Sequence, residues 1–261
     1  RPHTVACISD TDKGSVAYLL DRFMRAYGSP NFIRTPTSLD AQELSLYLSC
    51  GQQGSIGYDL KKADFILSFG SALLDGCDSA GHALSAYSGF DKKVELVQIE
   101  ARLSDTANRA SKWIPAKPGT EAILAMGIGH VIVRDNLYNK NFVENFSEGF
   151  EDWEDEAGNS HPGYRSLVKN YPPDQVAEKT GLSARDIETL ARSFAGARRP
   201  LAIGRYSSTG SESLDQALAI FALNALAGNI RQPGGISFVG EPDYLSWTEI
   251  KIDKTASAGN Q

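Results

Sequence analysis

Short apolar runs bounded by glycine or charge recur along the chain, and most are followed by apolar residues at helical spacing. The clearest is Asp64 to Phe69, DFILSF, which stops at Gly70-Ser71; Val94 to Ile99 ends at Glu100, and Leu201 to Gly204 ends at Arg205. Runs of this length without polar alternation are what strands buried on both faces look like, as in a parallel sheet. Thr4 to Ile8 reads as a further strand, and Phe32-Ile33 as the start of another. Between these, Val16, Leu19, Leu20, Phe23 and Met24 predict a helix closed by Gly28, and Leu44, Tyr47 and Leu48 a second helix. A helix is expected over about 76–87, another from Glu121 through Ile123, Leu124, Ile128, Val131 and Ile132, and a short one over Asp174 to Glu178. Ile187, Leu190, Ala191 and Phe194 follow a Ser183-to-Asp186 capping box, and Leu214, Ala217, Leu218, Phe221 and Ala225 precede Gly228. Alternation of this kind predicts an α/β fold, a mostly parallel sheet flanked by helices on both faces, Rossmann-like.

In such a sheet the carboxyl ends of the strands face the ligand crevice. That places Glu100 and Arg102 at the crevice, with Gly70-Ser71 letting backbone approach a ligand, and Lys117-Pro-Gly-Thr120 turning the chain into the helix that Glu121 opens. Gly204 and Arg205 occupy the corresponding end of another strand. The glycine segment GQQGSIG, Gly51 to Gly57, has neither G-x-G-x-x-G nor G-x-x-x-x-G-K-[ST] and reads as a flexible connector.

Composition narrows the function. At 261 residues, 41% hydrophobic and 22% charged, the chain can bury a sizeable core. A formal charge of −6 with no basic cluster beyond Arg198-Arg199 argues against a nucleic-acid partner. No apolar run approaches the length of a membrane span, so direct membrane insertion is not expected. Cys7, Cys50 and Cys77 are far apart, without a C-x-x-C pair, which argues against an iron–sulfur or zinc site in this chain and for small buried apolar roles. His130, among apolar residues, reads as a hydrogen-bonded structural histidine, and the acidic run from Glu148 to Glu156 as a solvated face or loop. A nicotinamide dehydrogenase lacks its glycine fingerprint here, and no G-x-S-x-G marks a nucleophile. The abrupt start at Arg1 and the polar end suggest a piece of a longer polypeptide.

Glu100-Ala101-Arg102, Ser104, Thr106-Ala107, Ala110, Trp113-Ile-Pro115 and Pro118-Gly-Thr-Glu121 together resemble the nucleotide-binding signature of the molybdopterin oxidoreductase (DMSO reductase) family, D-P-R-x-T-x-T-A followed by P-G-T-D. GLSARDIETLARSFA and the Asn229-to-Gly235 turn match further family patterns, and SFGSALLDG with YLLDRFMRAYGSPN looks most like its polysulfide-reductase-type branch. The resemblance implies a molybdopterin guanine dinucleotide, its guanosine part held by Gly70, Ser71, Glu100, Arg102, Pro118, Gly119 and Glu121, with Gly204 and Arg205 as second-rank contacts. It implies three parts: residues 1–50, a first strand-helix unit belonging to a neighbouring α/β domain; 51–240, a pterin-dinucleotide-binding-type α/β domain; and 241–261, a tail or linker. It also implies a respiratory oxidoreductase subunit with iron–sulfur and membrane subunits as partners and a periplasmic location. Three departures stand out: Glu replaces Asp at 100 and 121, Ala72 stands where the family has Asn, and the segment after Gly28-Ser-Pro-Asn31 has no cysteine, only Ser38 and Asp40 as oxygen donors. No metal ligand is assigned. These departures leave open an alternative, a degenerate non-catalytic scaffold subunit of a quinone-reducing membrane complex, its pterin and molybdenum lost.

Overall fold

A computed structural model describes residues 1–11, 13–76, 79–90, 94–204, 212–240 and 247–259. The chain opens with β1 (Cys7–Ser9), α1 (Gly14–Tyr27), β2 (Phe32–Arg34) and α2 (Ser38–Cys50). Next come β3 (Ser55–Tyr58), β4 (Phe65–Phe69), α3 (Ala80–Ser88), β5 (Glu95–Ile99), α4 (Asp105–Arg109), β6 (Lys112–Ile114) and α5 (Glu121–Arg134). After them run α6 (Lys140–Phe146), β7 (Trp153–Glu154), β8 (Ser160–His161), α7 (Tyr164–Leu167), α8 (Pro173–Thr180), α9 (Ala184–Gly196), β9 (Pro200–Gly204), α10 (Glu212–Ala227), β10 (Ile236–Val239) and α11 (Lys254–Gly259).

The main sheet has the order β6-β5-β4-β9, all parallel, with β4 opposite β5 from Phe65↔Glu95 to Phe69↔Ile99. Every residue of β4 is buried, as its unbroken apolar run requires. One face of the sheet, through Phe65, Leu67, Phe69, Val97, Ile99 and Ala202, packs on α5, α9 and α10. The other, through Ile66, Leu96, Leu201 and Ile203, packs on α3 and on Leu46 of α2. Helices therefore cover both faces. Strand order reverses at β4, since β5 lies on one side and β9, reached only after α5 to α9, on the other. Such a reversal opens a crevice at the strands' carboxyl ends.

The two best-patterned helices form as expected. Ser183 caps α9 by accepting from Asp186 N, and Ile187, Leu190, Ala191 and Phe194 are buried. In α5, Leu124, Ile128, Val131 and Ile132 are buried, and His130 Nδ1 lies 2.8 Å from the Val168 carbonyl, the structural role expected of it. Cys7 and Cys50 are only half-buried; Cys77 lies outside the described residues.

Other expectations change. Residues 2–4 form a 3-10 turn and the first strand begins at Cys7. The expected connector Gly51–Gly57 instead contains most of β3, antiparallel to β10, because Gln42 of α2 accepts from Ile56 N and Asp59 accepts from Gly234 N. Thr37 is the N-cap of α2, and Asp40, one of the two oxygen donors noted, closes its capping box and pairs with Arg34 at 2.9 Å. The acidic run holds a small hairpin, β7 with β8, in which Trp153 stacks on His161. The apolar faces expected of α1 and α2 are buried only in part: Met24 is buried and Leu20 half-buried, whereas Val16, Leu19, Phe23, Leu44, Tyr47 and Leu48 are exposed. The two-stranded β1–β2 sheet is too narrow to cover α1, which rests on Ala17 and Met24. The stretch expected as a tail ends in α11, whose buried Ala256 packs against Gly28.

Candidate functional site

The crevice above β4 and β5 is a cavity of about 390 Å³ lined by Phe69, Gly70, Ala72, Asp75, Glu100, Ala101, Arg102, Ser104, Pro118, Glu121 and Gln216. Five of the expected residues, Gly70, Glu100, Arg102, Pro118 and Glu121, therefore meet in one place. Gly119 lines an adjoining cavity of about 980 Å³ between α5 and α10, which shares Glu121 and Gln216 with the first. Ser71 and Gly204 line neither cavity. Ser71 turns its carbonyl down to Gln98, and Gly204 ends β9 opposite Phe69. Arg205 lies outside the described residues.

Local rules explain each position. Gly70 follows the last buried residue of β4 with φ +67°, and its N–H donates to Ile99 O at 2.9 Å, so the chain turns sharply at the crevice edge. Gly119 turns likewise at φ +77°. A side chain at either would meet open space, so the demand for glycine is conformational. Glu100 extends from the end of β5, its N–H on Ile114 O and its carbonyl accepting from Trp113 Nε1 at 2.9 Å. One of its carboxylate oxygens accepts from Ser104 Oγ, the N-cap of α4. Glu121 sits in the first turn of α5, where the exposed amides of a helix start favour a carboxylate. Among the described residues no group hydrogen-bonds to the Glu121 carboxylate or the Arg102 guanidinium.

The sequence gave no site role to Asp75 or Gln98, and Thr106 appeared only as part of the family signature. Asp75 Oδ1 accepts from Asp105 N at 3.0 Å, and Oδ2 from Thr106 N at 2.9 Å and Thr106 Oγ1 at 2.5 Å. The Thr106 hydroxyl and amides, with the nearby Arg102 charge, hold the Asp75 carboxyl below the usual carboxylate range. Leu74 N donates to Thr106 Oγ1 at 3.0 Å. Gln98, fully buried in mid-strand, donates from Nε2 to Ser71 O at 3.1 Å. Asp75 appeared only within the SFGSALLDG match, whereas Gln98 left a trace of its own: the polar interruption in Val94–Ile99.

Two free or half-free carboxylates, a guanidinium and two open glycine turns around a cavity of this size form a donor–acceptor set for a polar heterocycle carrying hydroxyls and an anionic group. Carboxylates accept from amino, ring N–H or ribose O–H donors, and a guanidinium pairs with phosphate. Among the described residues no three His, Cys, Asp or Glu side chains are grouped to hold a metal ion.

Residues 3–252 match the family model described as molybdopterin oxidoreductase. The chain is 30% identical over 237 residues to the menaquinone reductase molybdopterin-binding-like subunit of Nitratidesulfovibrio vulgaris, covering 89% of this chain and 32% of that protein. It is 29% identical over 240 residues to the thiosulfate reductase molybdopterin-containing subunit of Salmonella typhimurium, covering 90% and 29%. The structure superposes on acetylene hydratase from Pelobacter acetylenicus with a TM-score of 0.68 at 23% identity, covering 91% of this chain and 31% of that one, which shows a shared fold. The chain thus spans about a third of the length of the curated relatives it matches.

Proposed function

The chain belongs to the molybdopterin oxidoreductase family, and from that premise we propose that it forms the guanosine end of a molybdopterin guanine dinucleotide site in the large subunit of a respiratory oxidoreductase. The observation that carries the reading is the single cavity into which Gly70, Glu100, Arg102, Pro118 and Glu121 converge from three separate stretches. Glu100 and Glu121 accept hydrogen bonds from guanine or ribose donors, Arg102 pairs with the pyrophosphate, and the Gly70 and Gly119 turns let backbone come close. When bound, the group supplies the redox chemistry, and this chain's part is to hold and orient its nucleotide arm. Gly204 and Arg205 are proposed as flanking contacts, and Ser71 as a backbone contact steadied by Gln98.

The same reading extends to organisation. Residues 1–50 are proposed as part of a neighbouring α/β domain, its last helix α2 reaching the main sheet through Leu46, with 51–240 as the pterin-dinucleotide-binding domain and the stretch from 241 linking onward, α11 docking on the first unit. Supporting this, of the twenty large apolar side chains exposed among the described residues ten lie in residues 1–50, among them Ile8, Val16, Leu19, Phe23 and Ile33. A parallel pair with open apolar faces is an incomplete sheet. The partners proposed are iron–sulfur and membrane subunits of a periplasmic complex that passes electrons to or from quinone; no described helix is long and apolar enough to cross a membrane.

A second reading, a subunit that keeps the fold for assembly and electron transfer without a loaded metal site, is favoured by one observation: Ala72 lines the cavity with no amide to offer. Acid extraction of the complete purified polypeptide separates the two. The first reading expects guanine nucleotide and molybdenum or tungsten in fixed ratio to protein; neither being present leaves the second.

A further inference from the structure

We infer that Asp75 and Thr106 form a latch that fixes the Glu100-to-Ser104 loop against the Gly70 turn, making Asp75 a positioning residue of the crevice. The inference rests on the nucleotide-site reading above for its ligand but on separate atoms for its geometry.

Two loops carry the lining of the 390 Å³ cavity: 70–76, leaving β4, and 100–104, leaving β5. Adjacent parallel strands share no hydrogen bonds past their ends, so these loops need some other tie to keep a common shape. The tie is one carboxylate and one hydroxyl. Asp75 spans from the first loop to the start of α4, taking Asp105 N on one oxygen and both Thr106 donors on the other. Thr106 answers in the opposite direction, its Oγ1 accepting from Leu74 N. Thr106 is fully buried, so water cannot substitute for either bond. From below, Gln98 of β5 holds Ser71 O, tying the first loop to the strand that the second one leaves.

Asp75 lines the cavity, which raises the question of whether it takes the ligand itself. Three donors already occupy its two oxygens, whereas a carboxylate offers about four acceptor positions. Glu100, with one oxygen on Ser104, and Glu121, with none engaged, keep far more capacity. The division of labour follows: Glu100 and Glu121 face the ligand, and Asp75 is spent on the frame. Arg102 gains as well, because the anchored negative charge of Asp75 lies near its guanidinium. Since binding is strongest where the site is already in the bound shape, the latch lowers the ordering cost of the nucleotide.

The test uses the complete polypeptide prepared free of bound nucleotide, with GDP as the probe in equilibrium dialysis and hydrogen–deuterium exchange as the independent readout. Thr106→Val removes the hydroxyl and both its bonds at nearly constant shape; it is expected to weaken GDP roughly ten-fold, while Thr106→Ser, which keeps the hydroxyl, stays within about two-fold. Asp75→Asn is expected to behave like Thr106→Val, and should it fail to fold, the Thr106 pair carries the comparison alone. In either disruptive variant, exchange rises together in peptides 70–76 and 100–107. If the parent protein binds GDP and the variants bind it equally well, the latch is overturned. If the parent protein does not bind GDP, the nucleotide reading fails, and exchange alone decides the latch: a joint rise supports it, and a rise confined to 105–107 overturns it.

Discussion

Asn224 of α10 does the work of a missing strand. β9 is an edge of the main sheet, so the N–H and C=O of Ala202 point away from β4 and need partners from elsewhere. Asn224 Oδ1 accepts from Ala202 N at 3.0 Å and Nδ2 donates to Ala202 O at 2.8 Å, while Asn229 Nδ2 donates to Asn224 Oδ1 at 2.8 Å and to Pro200 O at 2.6 Å. Ala202 is fully buried and Asn224 nearly so. Asn224→Leu keeps the volume and strips both backbone groups of their partners. Each buried orphan costs about 1–3 kcal/mol, giving a combined loss of about 4 kcal/mol and a fall in Tm of about 10 °C. Urea unfolding followed by circular dichroism measures it, with Asn145→Leu on the exposed face of α6 as a control expected to change stability by less than about 0.5 kcal/mol. A loss under about 1 kcal/mol at unchanged m-value would refute the surrogate-strand argument, because it would mean that Ala202 finds other partners.

Three further outcomes are expected. Gly70→Ala forces a Cβ into left-handed backbone and is expected to cost about 1–2 kcal/mol, whereas Gly81→Ala, in α3 with normal φ and open space around it, gains about 0.5–1 kcal/mol; paired denaturation curves with the same sign would contradict the assignment of the Gly70 turn. Tyr164 buries its hydroxyl against Gly129 without a partner, and burial pushes its pKa up. Tyr164→Phe is therefore expected to be neutral or to stabilise by about 1 kcal/mol, and a clear loss in thermal melts would show a bond that this packing lacks. His161, with Asn159, lowers the Asp155 carboxyl from 3.8 to about 2. A depressed pKa contributes stability that is complete above the unfolded value and lost as pH falls through the folded one, so the β7–β8 hairpin should loosen between pH 3.8 and about 2; an NMR titration of Asp155 with its midpoint at an ordinary carboxylate pH would overturn this.

How far the sequence carried the fold depended on what each segment packs against. β4, α5 and α9 were legible because their neighbours lie within the chain: an unbroken apolar run became a strand buried on both faces, and Ser183 with Asp186 marked a helix start. α1 and α2 show the opposite. Their apolar spacing is real, but Val16, Leu19 and Phe23 face outward, so periodicity revealed a helix without revealing which of its sides is covered. β3 was hidden for another reason: Gly54 and Gly57 give no side-chain signal, and the strand exists through Gln42, Asp59 and its pairing with β10, some 180 residues away. At the site, topology put Glu100 and Arg102 at a strand end, and the family resemblance singled them out together with Pro118, Gly119 and Glu121. The framework was not readable in this way, since a carboxylate such as Asp75 acquires its role only when Thr106, 31 residues on, folds against it.

The central claim is that the cavity edged by Gly70, Glu100, Arg102 and Glu121 receives a guanine nucleotide. Hydrogen–deuterium exchange of the complete polypeptide prepared free of bound nucleotide, with and without saturating GDP, tests it most directly. The account predicts slowed exchange in peptides covering 70–76, 100–107 and 118–122, reduced in parallel by Glu100→Ala and Glu121→Ala. Protection appearing elsewhere while these three segments stay unchanged would contradict it.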